Sequence, residues 1–253
     1  MSEWDWGQPD GLSARMDGFL EESATCDKLE EVAAPPFTRA LLAELGVSGV
    51  EFAAWKSRHP AALASDVVSL RAADAVAAPG RVYRVDGEAL FAALDIRQPL
   101  PFADGSVDWV YAEHLIEHVS LTDGTVWLAE VRRILAPGGV LRLTTPDLAT
   151  YVDGYRAGGP FFGRHRGRMR AAGVGPPMPA RRAFMFNQLF YLYGHRWLYD
   201  YDELVYALAT AGFSTEEVRR RAFRDGARPD VADLDRVLRN DESMYVEVVK
   251  RDP

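Results

Sequence analysis

Cysteine is almost missing from this chain. Cys26 stands alone among 253 residues, so neither an internal disulfide nor a cysteine-built metal site can form. Long apolar runs are missing too, and none approaches the roughly 18 residues of a membrane span. The opening residues, Met1 to Gly11, are acidic and carry no basic-then-apolar leader pattern. Together these absences predict a cytoplasmic protein. A net charge of −8 argues against general nucleic-acid binding. One stretch lacks acid altogether: between Asp153 and Asp200 there is no Asp or Glu. The same stretch carries Arg156, Arg164, Arg166, Arg168, Arg170, Arg181, Arg182 and Arg196. It is either a solvated basic loop or a local attractor for an anionic substrate.

What is present is best read from Val85 to Leu148. Trp109-Val110-Tyr111 and Val140 to Thr144 are β-type runs. Between them Val126, Leu128, Val131, Ile134 and Leu135 recur near helical spacing, predicting a helix over 125–135. Ala136-Pro137-Gly138-Gly139 stops that helix and turns into the next strand. Strand, helix and strand in this order predict a parallel sheet. Tyr201 to Ala211 predicts a further amphipathic helix. Val218 to Phe223 and Met244 to Val249 read as an antiparallel final pair, and Asp225 to Asn240 as a charged surface connection.

Leu100 to Val119, LPFADGSVDWVYAEHLIEHV, is followed by Glu130 to Asp147, EVRRILAPGGVLRLTTPD. These segments resemble the middle and late motifs of class I S-adenosylmethionine-dependent methyltransferases, closest to a small-molecule branch with a short first loop. The resemblance runs from about Asp66 to Leu148 and resumes from His195 to Lys250. It implies an α/β, Rossmann-like, seven-stranded and mostly parallel sheet flanked by helices. An N-terminal helical lid and an insertion after the fifth strand complete the expected architecture. The corresponding division is a helical cap over 1–63, a cofactor-binding core over 64–150, an Arg- and aromatic-rich substrate insertion over 151–195, and the rest of the core over 196–253.

In the family the first strand ends in an acid, then Gly-x-Gly, whose glycines let the backbone approach the cofactor. With Val67 to Leu70 taken as that strand, Ser69 replaces the acid, and Arg71 and Ala73 replace the glycines. A third positive charge beside the sulfonium and ammonium of S-adenosylmethionine costs about 4 kcal/mol at ~4 Å and an effective dielectric of ~20. Arg71 must therefore pair with the methionine carboxylate, point away, or mark a lost cofactor site. Asp86, after a second strand over Val82 to Val85, matches the ribose-binding acid, or is a turn residue before Gly87. Asp95 and Ile96 match the position that touches the adenine, or Asp95 is a turn acid before Pro99.

His114-Leu115-Ile116-Glu117-His118 has the H-x-x-E-H order of inverted zinc peptidases. Such a site needs a third ligand and a cradle of helices, and no metal is assigned here. His195, and after it His114, is the expected general base. The Arg164, Arg166, Arg168, Arg181, Arg182 and Arg196 guanidinium groups are the expected contacts for an anionic group on a small-molecule substrate. The resulting expectation is methyl transfer from S-adenosyl-L-methionine to a small polar or anionic metabolite. The alternative is a methyltransferase fold that has lost methylation and serves as a cyclase, another tailoring enzyme, or a partner of an active methyltransferase.

Overall fold

The computed structural model describes residues 24–54, 56–173 and 179–251. Its strands are β1 (Leu29–Ala33), β2 (Gly49–Phe52), β3 (Ala62–Asp66), β4 (Val82–Val85), β5 (Ala89–Ala93), β6 (Val107–Glu113), β7 (Leu135–Pro146), β8 (Val218–Arg221) and β9 (Ser243–Val249). They form one sheet in the order β1-β4-β5-β3-β2-β6-β7-β9-β8. The central five, β5-β3-β2-β6-β7, are parallel. β9 runs antiparallel to β7, and β8 antiparallel to β9. The parallel centre with an antiparallel final pair agrees with the expected architecture, but the sheet is larger than the seven strands expected. β4 and β1 extend it antiparallel beyond β5, giving nine strands among the described residues.

One face is covered by helices α1 (Arg39–Glu44), α2 (Leu121–Ile134) and α6 (Tyr201–Thr210). The Ser120 side chain caps α2 by accepting from the Asp123 amide. The helical spacing then buries Trp127, Leu128, Val131 and Ile134 against Val50, Val110 and Leu141 of the sheet. β7 begins at Leu135 with no loop after α2. After β7 come α3 (Leu148–Ala157), α4 (Phe161–Ala171) and α5 (Arg182–Tyr191). They share a separate apolar cluster of Tyr151, Phe161, Phe162, Met169, Met185 and Leu189.

The other face departs from expectation. β2 returns to β3 through residues 53–61, and the described residues of that connection, 53–54 and 56–61, form no helix. Nine extended residues span up to about 30 Å, ample to run back beside strands of four or five residues. The face is covered instead by the segment between β8 and β9, which carries α7 (Pro229–Ala232). Val231 and Leu234 pack on Ala62, Trp109 and Tyr111. The expected surface connection is therefore buried over its middle. Its anchor is Arg142 in β7, fully buried, whose Nε and Nη2 donate to Asp235 at 2.9 and 2.6 Å. Arg142 Nη1 donates to Glu247 at 2.8 Å and to the Asp225 carbonyl at 3.0 Å.

Three more expectations are corrected. Val67 to Leu70 is not a strand, because the strand ends at Asp66 and the chain then covers Phe91 and Tyr83 through Leu70. Val82 to Val85 is a strand, but an antiparallel one. The expected helical cap over 1–63 falls partly outside the described residues. Of the described part, 29–33 is edge strand β1, and only 39–44 is helical. The strands at 49–52 and 62–66 belong to the sheet, so the sheet begins before residue 64.

Removing Asp235 leaves part of a buried guanidinium unpaired. Asp235→Ala should lower stability by about 3 kcal/mol in urea denaturation. Gly49 faces Trp109, and a Cβ there would lie 2.1 Å from the indole. Gly49→Ala should cost about 1–3 kcal/mol or more, read in the same way.

Candidate active site

Ligands of open α/β sheets bind beyond the carboxyl ends of the strands, where the strand order reverses. In this sheet β3 lies on one side of β2 and β6 on the other, so the reversal falls between β2 and β6. The loop that matters is thus the one after β2. It reads Glu51-Phe52-Ala53-Ala54-Trp55, with an acid in the strand and Ala53 at the first glycine position. Ala53 has φ 56°, the left-handed conformation that a glycine adopts at little cost. The backbone bend survives without the glycine. The second glycine position falls on Trp55, outside the described residues. Glu51 is buried, and burial pushes its carboxyl above the ordinary range.

The residues expected to hold the cofactor are rearranged by this topology. Asp86 follows an antiparallel strand, and Val85 pairs with Ala89 at the amino end of β5. It therefore sits at the end of the sheet opposite the ligand edge. Its carboxylate accepts from the Asp27 and Lys28 amides at 2.9 Å, and its φ of 52° makes it a turn residue. Arg71 is exposed, and its backbone pairs with Thr25 and Val76. Ser69 and Ala73 flank it in the same irregular segment rather than ending a strand. The like-charge conflict expected of Arg71 lapses with the strand that would have aimed it.

Two carboxylates do stand at the carboxyl ends of adjacent parallel strands. Asp66 ends β3, accepts from the Val68 amide at 3.2 Å, and has its carboxyl raised by burial. Asp95 follows β5. Arg97 grips it through Nε at 2.9 Å and Nη2 at 2.7 Å, which lowers its carboxyl below the usual range. Ile96 is buried in the main core.

Beyond β6 the two expected histidines come together. His114 takes a left-handed backbone, φ 53°, and a single 3₁₀ turn over 116–118 follows. His114 thus precedes the turn rather than sharing a helix with His118, which removes the inverted-peptidase geometry. His114 Nδ1 lies 3.3 Å from Glu117 Oε1, and its Nε2 lies 2.7 Å from Ser243 Oγ. Glu117 is fully buried. Its Oε2 accepts from Thr145 Oγ1 at 3.1 Å, while Oε1 has no hydrogen-bond partner. The Arg196 and Trp197 amides donate to the Glu117 carbonyl, which brings His195 Nε2 to 4.0 Å from Glu117 Oε1. His118 and His195 meet edge to face at 4.8 Å. Burial pushes Glu117 up to about 8, His118 down to about 4 and His195 down to about 3. Burial likewise lowers His114.

The arginines divide. Arg164, Arg181, Arg182 and Arg196 are exposed, and Arg166 and Arg168 are half-buried. Arg168 donates to the Val237 carbonyl at 2.8 Å, Arg182 donates to that of Tyr155 at 3.0 Å, and Arg181 lies over the Phe184 ring. Glu117, Asp66 and Ala53 were not singled out from the sequence as site residues. The readable signal for Asp66 was its place after Ala62-Leu63-Ala64-Ser65, and for Glu117 its place between two histidines. A cavity of about 320 Å³ lies at the amino ends of β2, β3 and β5, lined by Lys56, His59, Arg84 and Glu88 among others. It is on the opposite edge of the sheet from these groups.

Residues 44–143 match the family model described as a methyltransferase domain. That stretch, about two fifths of the chain, is similar to methyltransferase domains. The match opens upstream of β2, in agreement with the placement of the first loop at 53–61. No curated protein matches the sequence. Among solved structures, a CurJ carbon methyltransferase is 13% identical, with a TM-score of 0.42 over 82% of this chain and 49% of its own. The citrinin polyketide synthase CMeT domain is 12% identical, TM-score 0.43, over 82% and 47%. Haemonchus contortus phosphoethanolamine N-methyltransferase 2, in complex with S-adenosyl-L-methionine, is 10% identical, TM-score 0.42, over 96% and 53%. This chain spans about half the length of these structures. No helix among the described residues is long and apolar enough to cross a membrane.

Asp86 holds two amides at a turn remote from the ligand edge. Asp86→Ala should cost about 1–2 kcal/mol of stability, read by urea denaturation.

Proposed function

We propose that this chain transfers a methyl group from S-adenosyl-L-methionine to a small polar or anionic metabolite. The observation that carries the reading is the pair Asp66 and Asp95, within the matched methyltransferase domain, at the carboxyl ends of neighbouring parallel strands. A carboxylate accepts hydrogen bonds from both hydroxyls of a ribose, which suits Asp66, and Asp95 suits the amino edge of an adenine. Ala53 keeps the backbone open where the cofactor approaches. The bound cofactor supplies an electrophilic methyl group. The protein's part is to hold the acceptor in line with it and to exclude water.

Glu113 at the carboxyl end of β6, with His114, Glu117 and His195 beyond it, lies on the side where the acceptor would enter. Proton removal from the acceptor falls to this group. The exposed arginines of α4 and α5 and Arg196 give the insertion a positive field, with no acid of its own between Asp153 and Asp200. That field favours an acceptor carrying a phosphate or carboxylate.

One observation favours a second reading. The connection after β2 lacks the helix whose first amides would face the methionine carboxylate, so that half of the cofactor has fewer donors. A fold that has given up methylation, acting as a tailoring enzyme or as a partner of an active methyltransferase, would show this loss. Calorimetric titration separates the two. Under methylation the full chain binds S-adenosyl-L-methionine at micromolar levels, and Asp66→Ala weakens binding by about 1.5–3 kcal/mol. Absence of binding by the unaltered chain rejects methyl transfer and favours the second reading.

A further inference from the structure

The group beyond β6 has an unusual electrostatic balance. Glu117 Oε1 is buried and receives no hydrogen bond. His195 Nδ1 lies 2.5 Å from the Leu189 carbonyl, so its proton sits there and its Nε2 lone pair is left facing Glu117. One ligand atom from each of Glu117, His118 and His195 lies within 4.8 Å of the other two. A lone pair, a carboxylate oxygen and a second imidazole thus surround one small space. Neutral imidazoles and a carboxylate are the donor set that zinc-class ions take.

We propose that Glu117, His118 and His195 bind one divalent transition-metal ion of the zinc class. Bonds of about 2.0–2.1 Å to a tetrahedral ion place ligand atoms about 3.4 Å apart. Closing from 4.8 Å requires each atom to move by under about 1 Å, within the reach of side-chain torsions. The surroundings match those of metal ligands. The second nitrogen of His195 donates to a backbone carbonyl, and the second oxygen of Glu117 accepts from Thr145, which fixes both groups. His114, at 3.3 Å from Glu117, is placed to orient the carboxylate, backed by Ser243. Three protein ligands leave a fourth position for water or an acceptor hydroxyl. The ion would lower that hydroxyl's pKa and so ease its deprotonation.

The inference stands on this cluster and does not depend on cofactor binding. It is tested on the full chain, stripped with a chelator, dialysed and titrated with Co²⁺. The expected result is one Co²⁺ per chain with the intense visible bands of a tetrahedral site, bleached by stoichiometric Zn²⁺. His195→Gln and Glu117→Gln should each lower the affinity by about 100-fold or more while circular dichroism stays native. His59→Gln, outside the cluster, should leave it unchanged. Zn²⁺ should also raise the melting temperature of the unaltered chain but not of His195→Gln. No cobalt binding by the folded chain would overturn the proposal. So would weak octahedral binding that survives both cluster substitutions. Titration with S-adenosyl-L-methionine in the absence of metal reports separately on methyl transfer.

Discussion

Arg142 is the charge on which one half of the fold depends. It sits in β7, fully buried, in register with Tyr111 of β6 and Glu247 of β9. A guanidinium there is stable only if it is paired, because an isolated buried charge costs several kcal/mol. Asp235 and Glu247 supply the counter-charges, and the Ala222 and Asp225 carbonyls take remaining donors. The pairing draws the segment between β8 and β9 over the sheet. Val231 and Leu234 then reach Trp109 and Tyr111. A face without its helical crossover is closed by a segment from the far end of the chain.

The same segment shapes the ligand edge. The Arg236 amide and guanidinium both engage Glu113, Ser243 supports His114, and the Tyr151 hydroxyl donates to Glu242. Residues 236–243 therefore link β6, the insertion after β7 and the histidine cluster. His165, buried beside Tyr151, Asp241 and Glu242, extends that link into α4. The cluster is set by contacts from four separated parts of the sequence, so small shifts in any of them change its geometry.

What was legible in the sequence follows from range. β6, α2 and β7 were anticipated because apolar spacing and β-type runs are local signals, although α2 begins at Leu121 rather than at 125 and Ala136 to Gly139 lie inside β7 instead of forming a turn before it. The final antiparallel pair and α6 were legible for the same reason. The first cofactor loop was misplaced because its marks are weak. Gly49-Val50-Glu51-Phe52 is a four-residue strand, Ala53 hides a left-handed bend behind an ordinary residue, and no helix follows. Asp86 looked like the ribose acid because strand direction, which decides its end of the sheet, is invisible in a short apolar run. His114 and His195 were singled out, but not the carboxylate between them. Their meeting depends on amide bonds from Arg196 and Trp197 to Glu117, across about 80 residues of chain.

The late cover over Trp109 and Tyr111 has a consequence for synthesis on the ribosome. A chain grows from its amino end at about 5–20 residues per second. Strands β2, β3 and β6 are complete long before Val231, Leu234 and Asp235 leave the exit tunnel. For that interval two large aromatic rings and an uncompensated arginine face solvent on a half-covered sheet. The nascent protein is thus a ready client for chaperones that hold exposed apolar surface. Truncation before Val231 would fix it in that open condition.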